Sequence, residues 1–210
     1  MALRYVATGM GHSGTGYVSR LLQSAGVRCG HGSVFSADGV LYGTDLDADS
    51  SFAAAAYLRR SICKKAVVIH VVRNPVDVVK SYLRSGWDIH NETWVRKTLA
   101  VKDQYGDMPY DALGWVCNAW VRWNLLIESH GADHVFMVED GPANLKKLGL
   151  KQVVYWDNRT HNKHPSSDLA IKHESVRRRC REAKHYSEID WLDLPLEMRN
   201  AARRYGYTWT

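Results

Sequence analysis

The chain has 210 residues, of which 45% are hydrophobic and 24% are charged. This composition excludes a disordered segment, a fibre and a disulfide-rich miniprotein, and it predicts a single globular domain over residues 1–210. The formal net charge of +6 suits an anionic ligand, without distinguishing a nucleotide from a nucleic acid or a membrane surface.

The first predicted unit is a strand, a glycine-rich turn and a helix. A short β-branched and aromatic run at residues 4–7 leads into the turn 9–16, and apolar residues then recur at helical spacing over 17–26. In such a turn several backbone N–H groups converge, and the helix N-terminus adds a partial positive charge. The unit therefore predicts a phosphate or sulfate site, with a bare glycine-rich turn that binds nothing as the alternative.

The turn departs from a P-loop in an informative way. Gly9 and Gly14 have the G-x-x-x-x-G spacing, but Thr15 and Gly16 stand where a P-loop has Lys and Ser/Thr. Those two residues serve a nucleoside triphosphate and its Mg²⁺, so triphosphate chemistry is disfavoured. What remains is a cradle for one anionic group. The side chains that could donate to this group are those of His12, Ser13 and Thr15.

A second strand–turn–helix unit follows. The continuous apolar run 66–72 is typical of a parallel strand buried on both faces, and residues 76–84 have helical spacing. Arg73 stands at the carboxyl end of this strand, where open α/β sheets bind ligands, and its planar fork suits a phosphate. Ser81 lies about two helical turns further on and adds a hydroxyl. The alternative is an arginine that caps a strand and a serine on a solvated helix.

The remaining elements continue the alternation of strands and helices. Residues 52–60 form an Ala-rich helix candidate, 110–129 a long helix whose tryptophans belong to the core, and 134–138 a short strand. Further helices are predicted at 142–148, 175–185 and 196–205. Strands that alternate with helices predict an α/β fold with a central, mainly parallel sheet.

The two turns together resemble a known family. Gly-x-x-His-Ser-Gly-Thr-Gly at 9–16, joined with Val-Val-Arg-Asn-Pro-x-x-Val-x-x-Ser at 71–81, is similar to the sulfotransferases that use 3′-phosphoadenosine 5′-phosphosulfate. The segment 136–150 is similar to the later Tyr-Glu-Asp and Leu-Gly region of that family. The resemblance covers residues 4–150, and it implies a P-loop-NTPase-like three-layer α/β/α fold.

The resemblance also implies roles for individual residues. The residues that would hold the 5′-phosphosulfate are Gly11, His12, Ser13, Gly14, Thr15 and Gly16. Arg73 and Ser81 would hold the 3′-phosphate, and a basic segment containing Lys163 would close over the nucleotide. The family commonly has Lys or Arg at the position of His12, where it stabilises the leaving phosphate oxygen. A histidine would do this only as a protonated or N–H donor.

Transfer to a hydroxyl also needs a general base within hydrogen-bond reach. His31 follows the first helix between two glycines, and the ordinary pKa of a histidine suits this work at neutral pH. A surface-loop histidine is the competing interpretation. The alternative bases are Asp38, Asp45 and Glu92. His70 lies inside the buried strand and is interpreted as a core histidine, and the glycine- and serine-rich segment 30–51 is a candidate for the acceptor mouth.

The sequence thus predicts an enzyme that moves a sulfuryl group from the co-substrate 3′-phosphoadenosine 5′-phosphosulfate to a hydroxyl or amine. The acceptor would be a small molecule or a glycan, and its identity stays open, as does the oligomeric state. The alternatives are a nucleotide or small-molecule kinase with a degenerate P-loop and a non-catalytic nucleotide-binding module.

Other patterns bear on metals, partners and location. No C-x-x-C or H-E-x-x-H motif occurs, so we expect no metal, and four separated cysteines fit a reducing compartment. The basic cluster 177–184 predicts a solvated helix face rather than a nucleic-acid interface. We expect a cytoplasmic protein without a membrane partner, because the chain shows neither a signal-peptide pattern nor a membrane-length apolar run.

Overall fold

The computed structural model describes residues 2–85, 94–95, 98–99, 112–151 and 188–208. The chain divides into two compact units, the first comprising residues 1–73 and 123–156 and the second residues 74–122 and 157–210. Within the described ranges, no helix is both long and apolar enough to cross a membrane. The predicted helix 175–185, the basic cluster and Lys163 lie outside the described residues.

The first unit is built on a parallel sheet of five strands. The described part of this unit has seven strands, of which five form the sheet and two form a hairpin. In chain order they are β1 (Tyr5–Thr8), β2 (Cys29–Gly30), β3 (Phe35–Ser36), β4 (Gly39–Val40), β5 (Ala48–Ser50), β6 (Val67–Val72) and β7 (His134–Met137). The sheet has the order β2-β5-β1-β6-β7 with every pairing parallel, while β3 and β4 form a separate antiparallel hairpin. The predicted α/β class with a mainly parallel central sheet is confirmed.

The strand order reverses beside β1. From β1 the chain moves to β2 at one edge of the sheet, whereas from β6 it moves to β7 at the opposite edge. In register, Thr8 pairs with His70 and Val72 with Met137, so the carboxyl ends of these strands lie side by side. Open α/β sheets bind ligands in the crevice outside such a reversal. We therefore expect a ligand to bind at the residues that directly follow β1 and β6.

Five α-helices have described bounds. They are α1 (Thr15–Ser24), α2 (Pro75–Ser85), α3 (Ala112–Ser129), α4 (Ala143–Lys147) and α5 (Leu196–Arg204). The predicted helix 52–60 is a 3₁₀-helix over Phe52–Tyr57, the tighter form that short segments adopt. Two other 3₁₀ turns cover Ser61–Cys63 and Val138–Asp140.

The core of the first unit lies between α1 and the sheet. Val18, Leu21 and Leu22 recur at helical spacing on α1 and pack in one cluster with Ile69 and Phe136 of the strands. Each fully buried side chain of this kind contributes about 1.5–3 kcal/mol relative to an exposed one. This packing fixes the start of α1 against the carboxyl ends of the strands.

The tryptophans of α3 are core residues, as predicted. Residues 112–122 of this helix belong to the second unit, where Trp115 packs against Tyr82 with ring centroids 5.2 Å apart. Also in the second unit, Trp120 meets Tyr205 edge-on at 6.1 Å. Trp123 belongs to the first unit and is fully buried. The aromatic stripe therefore fills the interior of the units.

Candidate functional site

The loop between β1 and α1 depends on two glycines. A Cβ atom on Gly9 would collide with the carbonyl oxygen of Val71, because the loop leaves β1 directly against the backbone of β6. Gly14, just before α1, has φ 95° and ψ 22°, a left-handed conformation that favours glycine. A Cβ there would lie 3.0 Å from Cγ2 of Val138. The loop 9–14 thus lies in close contact with β6 and with Val138, near the point where the strand order reverses.

The loop 9–14 ends at the N-terminus of α1. The N–H of Ser13 donates to the carbonyl oxygen of Met10 at 2.9 Å, and the first bond of α1 runs from the N–H of Val18 to the oxygen of Gly14 at 3.0 Å. The N–H groups of Thr15 and Gly16 precede this bond, at positions where an α-helix supplies no intrahelical acceptor. Together with the helix dipole, they favour an anion at this position.

Ser13 supplies a further donor. Its side chain is fully buried, and its Oγ has no hydrogen-bond partner among the described residues. A buried hydroxyl without a partner costs about 1–3 kcal/mol, so such groups usually face a ligand or a water. The described residues therefore do not satisfy the Ser13 hydroxyl.

Arg73 lies against the same loop. It follows β6 directly, and its Nη1 donates to the carbonyl oxygen of His12 at 3.4 Å. His12 itself has φ 65° and is the one non-glycine residue of the described ranges with a positive φ. Backbone strain of this kind costs about 1–3 kcal/mol and clusters at functional sites. Arg73, the residue that follows β6, thus contacts the loop that follows β1.

The structure tests neither of the two other residues predicted to bind the nucleotide, Ser81 and Lys163. Ser81 lies on α2 and belongs to the second unit. Its role, like that of Lys163, stays a prediction.

His31 reaches the first turn of α1. It follows β2 directly, and its Nε2 lies 3.3 Å from Oγ1 of Thr15, close enough for a hydrogen bond. A Cβ atom on Gly16 would lie 3.4 Å from Cε1 of the same ring. The side chain is exposed, although its ring touches the helix. An imidazole therefore stands beside the donors of the loop.

Asp49 was missed by the sequence reasoning. It is fully buried in β5, and its carboxylate accepts backbone N–H bonds from Ser33 at 3.0 Å, Val34 at 3.3 Å and Phe35 at 3.2 Å. Burial raises the pKa of the Asp49 carboxyl above its ordinary value, and the three N–H groups and the charge of His31 offset part of this rise. The only signal in the sequence was a carboxylate within a polar run, which has no strand pattern.

The alternative bases have other surroundings. Asp38 is exposed in the turn of the β3–β4 hairpin, where its N–H donates to Oγ of Ser36. Asp45 is exposed and lies 3.9 Å from Nη1 of Arg28. Glu92 lies outside the described residues. Neither described carboxylate shows a contact with Thr15 comparable to that of His31.

His70 is a satisfied core histidine, as expected. It is 1% exposed, and its Nε2 lies 2.7 Å from Oδ1 of Asn124. Burial lowers the pKa of His70, although the Asn124 bond and the Glu128 charge act in the opposite direction. An uncharged ring that donates to Asn124 accounts for this environment.

The described residues contain no group of side chains that could bind a metal ion. No three His, Cys, Asp or Glu residues there are placed to hold one ion. Burial raises the pKa of the Cys29 thiol to about 12 and that of Cys63 to about 11. Both thiols are therefore protonated at neutral pH and are poor ligands and nucleophiles.

Comparison with protein-family models, with curated proteins and with solved structures found no match for this chain. The chemistry of the site is therefore carried by its own residues. They are backbone N–H donors at a helix N-terminus, a buried hydroxyl with no partner among the described residues, a guanidinium and an imidazole. Such a set can bind an anionic group and move a proton beside it.

Proposed function

We propose that the protein is a sulfotransferase. It would move a sulfuryl group from 3′-phosphoadenosine 5′-phosphosulfate to a hydroxyl or amine acceptor and release adenosine 3′,5′-bisphosphate. The parallel sheet would then be the centre of a P-loop-NTPase-like three-layer α/β/α fold. The observation that carries the proposal is the contact between Arg73 and the loop 9–14 outside the strand-order reversal.

The loop 9–14 would bind the 5′-phosphosulfate. The first N–H groups of α1, the hydroxyl of Ser13 and the dipole of the helix all favour a compact anion at one place. A ligand oxygen at Ser13 would also remove the cost of its unpartnered hydroxyl. Gly9 and Gly14 allow the loop to lie close to Val71 and Val138, because neither has a Cβ that would collide with them.

Arg73 would bind the 3′-phosphate. Its guanidinium carries a permanent charge, and its contact with His12 O keeps it at the edge of the loop. An arginine there would give the site a second anion-binding position, as a nucleotide with phosphates at both ends of its ribose requires. Ser81 would add a hydroxyl to this position.

Transfer would proceed by in-line displacement at sulfur. The acceptor oxygen forms a bond to sulfur while the bond from sulfur to the bridging phosphate oxygen breaks, and the acceptor proton passes to His31. The loop donors and His12 stabilise the charge that develops on the leaving phosphate oxygen. The contact of His31 with Thr15 supports its assignment as base, because it brings the imidazole to the loop.

Triphosphate chemistry fits the same loop less well. Thr15 stands at the position of the P-loop lysine, so no cationic side chain is present at that position to bind the phosphates of a triphosphate. The hydroxyl of Thr15 instead contacts the ring of His31. A kinase with a degenerate P-loop and a non-catalytic nucleotide-binding module are therefore outcomes to be tested.

Isothermal titration distinguishes these functions. We expect adenosine 3′,5′-bisphosphate to bind more tightly than ATP or AMP, because only this ligand carries both anions. Binding of ATP at equal or better affinity would favour the kinase. Transfer is then checked by incubating the enzyme and sulfuryl donor with candidate acceptors and searching by mass spectrometry for the gain of one SO₃. Tight bisphosphate binding without a product across a broad screen would indicate the non-catalytic module.

A further inference from the structure

The carboxylate of Asp49 holds the turn that carries His31. Its two oxygens accept N–H bonds from three consecutive residues, Ser33, Val34 and Phe35, at 3.0–3.3 Å. Three successive amides that converge on one internal anion fix the path of the chain immediately after His31. The turn is thus tied to the middle of the sheet, since β5 lies between β2 and β1.

The other side of the turn is fixed as well. The N–H of Gly32 donates to the carbonyl oxygen of Ser50 at 3.2 Å. Gly30 lies so close to the carboxylate that a Cβ atom there would be 2.7 Å from Oδ1 of Asp49. His31 therefore lies between two glycines whose positions are set by β5.

The same strand also holds the partner of His31. Oγ of Ser50 donates to the carbonyl oxygen of Thr15 at 2.7 Å. Adjacent residues of β5 thus fix both sides of the contact between His31 Nε2 and Thr15 Oγ1. Asp49 sets the turn of His31, and Ser50 sets the first residue of α1.

Stability alone does not account for a charged group at this position. Taking a carboxylate out of water is costly even when it is hydrogen-bonded, which is why burial raises the pKa of Asp49. A neutral side chain would avoid this cost. An anion has one property that neutral residues lack here, since it can accept from several amides at once and hold them in a single arrangement.

We propose that Asp49 is a positioning residue that holds His31 against Thr15 and Gly16, at the mouth of the anion-binding loop. The catalytic part of this inference rests on the proposed function, because it makes the base dependent on a buried carboxylate. The geometric part stands on the hydrogen bonds alone.

The geometric part is tested by the Asp49→Asn variant. Asparagine keeps the shape, but its amide group turns a donor toward backbone donors. We expect the nuclear Overhauser effect between Hε1 of His31 and the Hα protons of Gly16 to be lost in this variant. The matched control is Asp47→Asn, two residues away, where an exposed carboxylate pairs with Arg28 at 2.9 Å and the effect should persist. Persistence of the effect in both variants would overturn the proposal, whatever the enzyme catalyses.

A wild-type measurement covers the case in which Asp49→Asn does not fold. Hydrogen exchange at the amides of Ser33, Val34 and Phe35 should be strongly slowed, because each donates to a buried acceptor. Exchange at the rate of an unprotected loop would show that the carboxylate does not hold the turn.

The catalytic part is tested by a double-mutant cycle. We expect Asp49→Asn to lower kcat about ten- to hundredfold in the wild-type background and to have little further effect in a His31→Ala background. The dissociation constant of adenosine 3′,5′-bisphosphate should stay within about twofold in both backgrounds, since the loop 9–14 is unaltered. A purely structural role would give the same loss of kcat in both. Failure of the bisphosphate to bind the wild type would sink the proposed function and leave the geometric test intact.

Discussion

Two turns of the first unit contain nearly the same residues and use them in opposite ways. The loop after β1 reads Gly-His-Ser-Gly at 11–14, and the turn after β2 reads Gly-His-Gly-Ser at 30–33. In the first, the chain continues into a helix N-terminus, and the described structure offers the Ser13 hydroxyl no partner. In the second, Asp49 takes three successive N–H groups. The comparison teaches that the second turn is held by an internal carboxylate, whereas the first is the turn for which we propose an external anion.

The two histidines give the largest expected difference between the turns. We expect His31→Ala to lower kcat about 10²- to 10⁴-fold, the usual value of a general base, with the bisphosphate affinity unchanged. His12→Ala should lower kcat as well, but through the leaving group. Steady-state kinetics with an alcohol and with a more acidic acceptor separates them, because an acidic acceptor needs the base less. Unchanged turnover in His31→Ala would pass the role of base to Asp38, Asp45 or another group.

The glycines that lead into the turns differ in what surrounds them. Gly9 abuts the backbone of Val71, whereas Gly30 abuts the side chains of Ser33 and Asp49. Because backbone cannot move aside, we expect Gly9→Ala to lower the free energy of unfolding by about 3 kcal/mol or more and Gly30→Ala by less. Urea denaturation measures both.

Gly26 is a matched control for these two substitutions. It has φ 80° and nothing within 4 Å of a built Cβ, so Gly26→Ala should cost only the conformational strain, about 1–2 kcal/mol. A Gly9→Ala variant no less stable than Gly26→Ala would contradict the close approach of the loop to β6.

The serines of the two turns provide a finer comparison. Ser13→Ala should weaken bisphosphate binding by about 1.5 kcal/mol, or roughly tenfold, because a hydrogen bond to a charged group is lost. The free protein should be equally stable or more so, since the substitution removes a buried hydroxyl that no described residue satisfies. Ser33→Ala should leave the affinity unchanged, because Ser33 serves Asp49 through its backbone N–H. Titration calorimetry that found equal losses for the two variants would argue against a ligand in the loop.

The pH dependence of stability should differ in sign between two aspartates of one segment. Burial raises the pKa of Asp49, so its contribution to the free energy of unfolding falls as the pH rises from its ordinary pKa toward the raised one. Arg28 lowers the pKa of exposed Asp47, and that small contribution is lost as the pH falls. The loss in free energy of unfolding relative to wild type should therefore be largest at acid pH for Asp49→Asn. For Asp47→Asn it should be largest at neutral pH. Urea denaturation from neutral pH down to about two units below the ordinary pKa of about 3.9 would show parallel trends if this assignment were wrong.

The same contrast explains how far the sequence predicts the molecule. β1 and β6 were predicted because their apolar runs are typical of buried strands, and Arg73 was found because it follows one of them. β5 was not predicted, because Ala48–Ser50 is short and polar and its Asp49 is satisfied by amides 14–16 residues earlier in the chain. A buried polar group whose hydrogen-bond partners lie far away in the chain leaves no periodic pattern in the sequence. The contact between His31 and Thr15 depends on that strand, so it too could be located only in three dimensions.

The central claim is that the loop 9–14 and Arg73 bind opposite ends of one nucleotide. Titration of wild type and Arg73→Ala with adenosine 3′,5′-bisphosphate and with adenosine 5′-phosphosulfate, which lacks the 3′-phosphate, tests it most directly. We predict that the variant loses about 1.5–3 kcal/mol of binding free energy for the bisphosphate and almost none for the phosphosulfate. Equal losses for the two ligands would contradict the assignment of Arg73 to the 3′-phosphate.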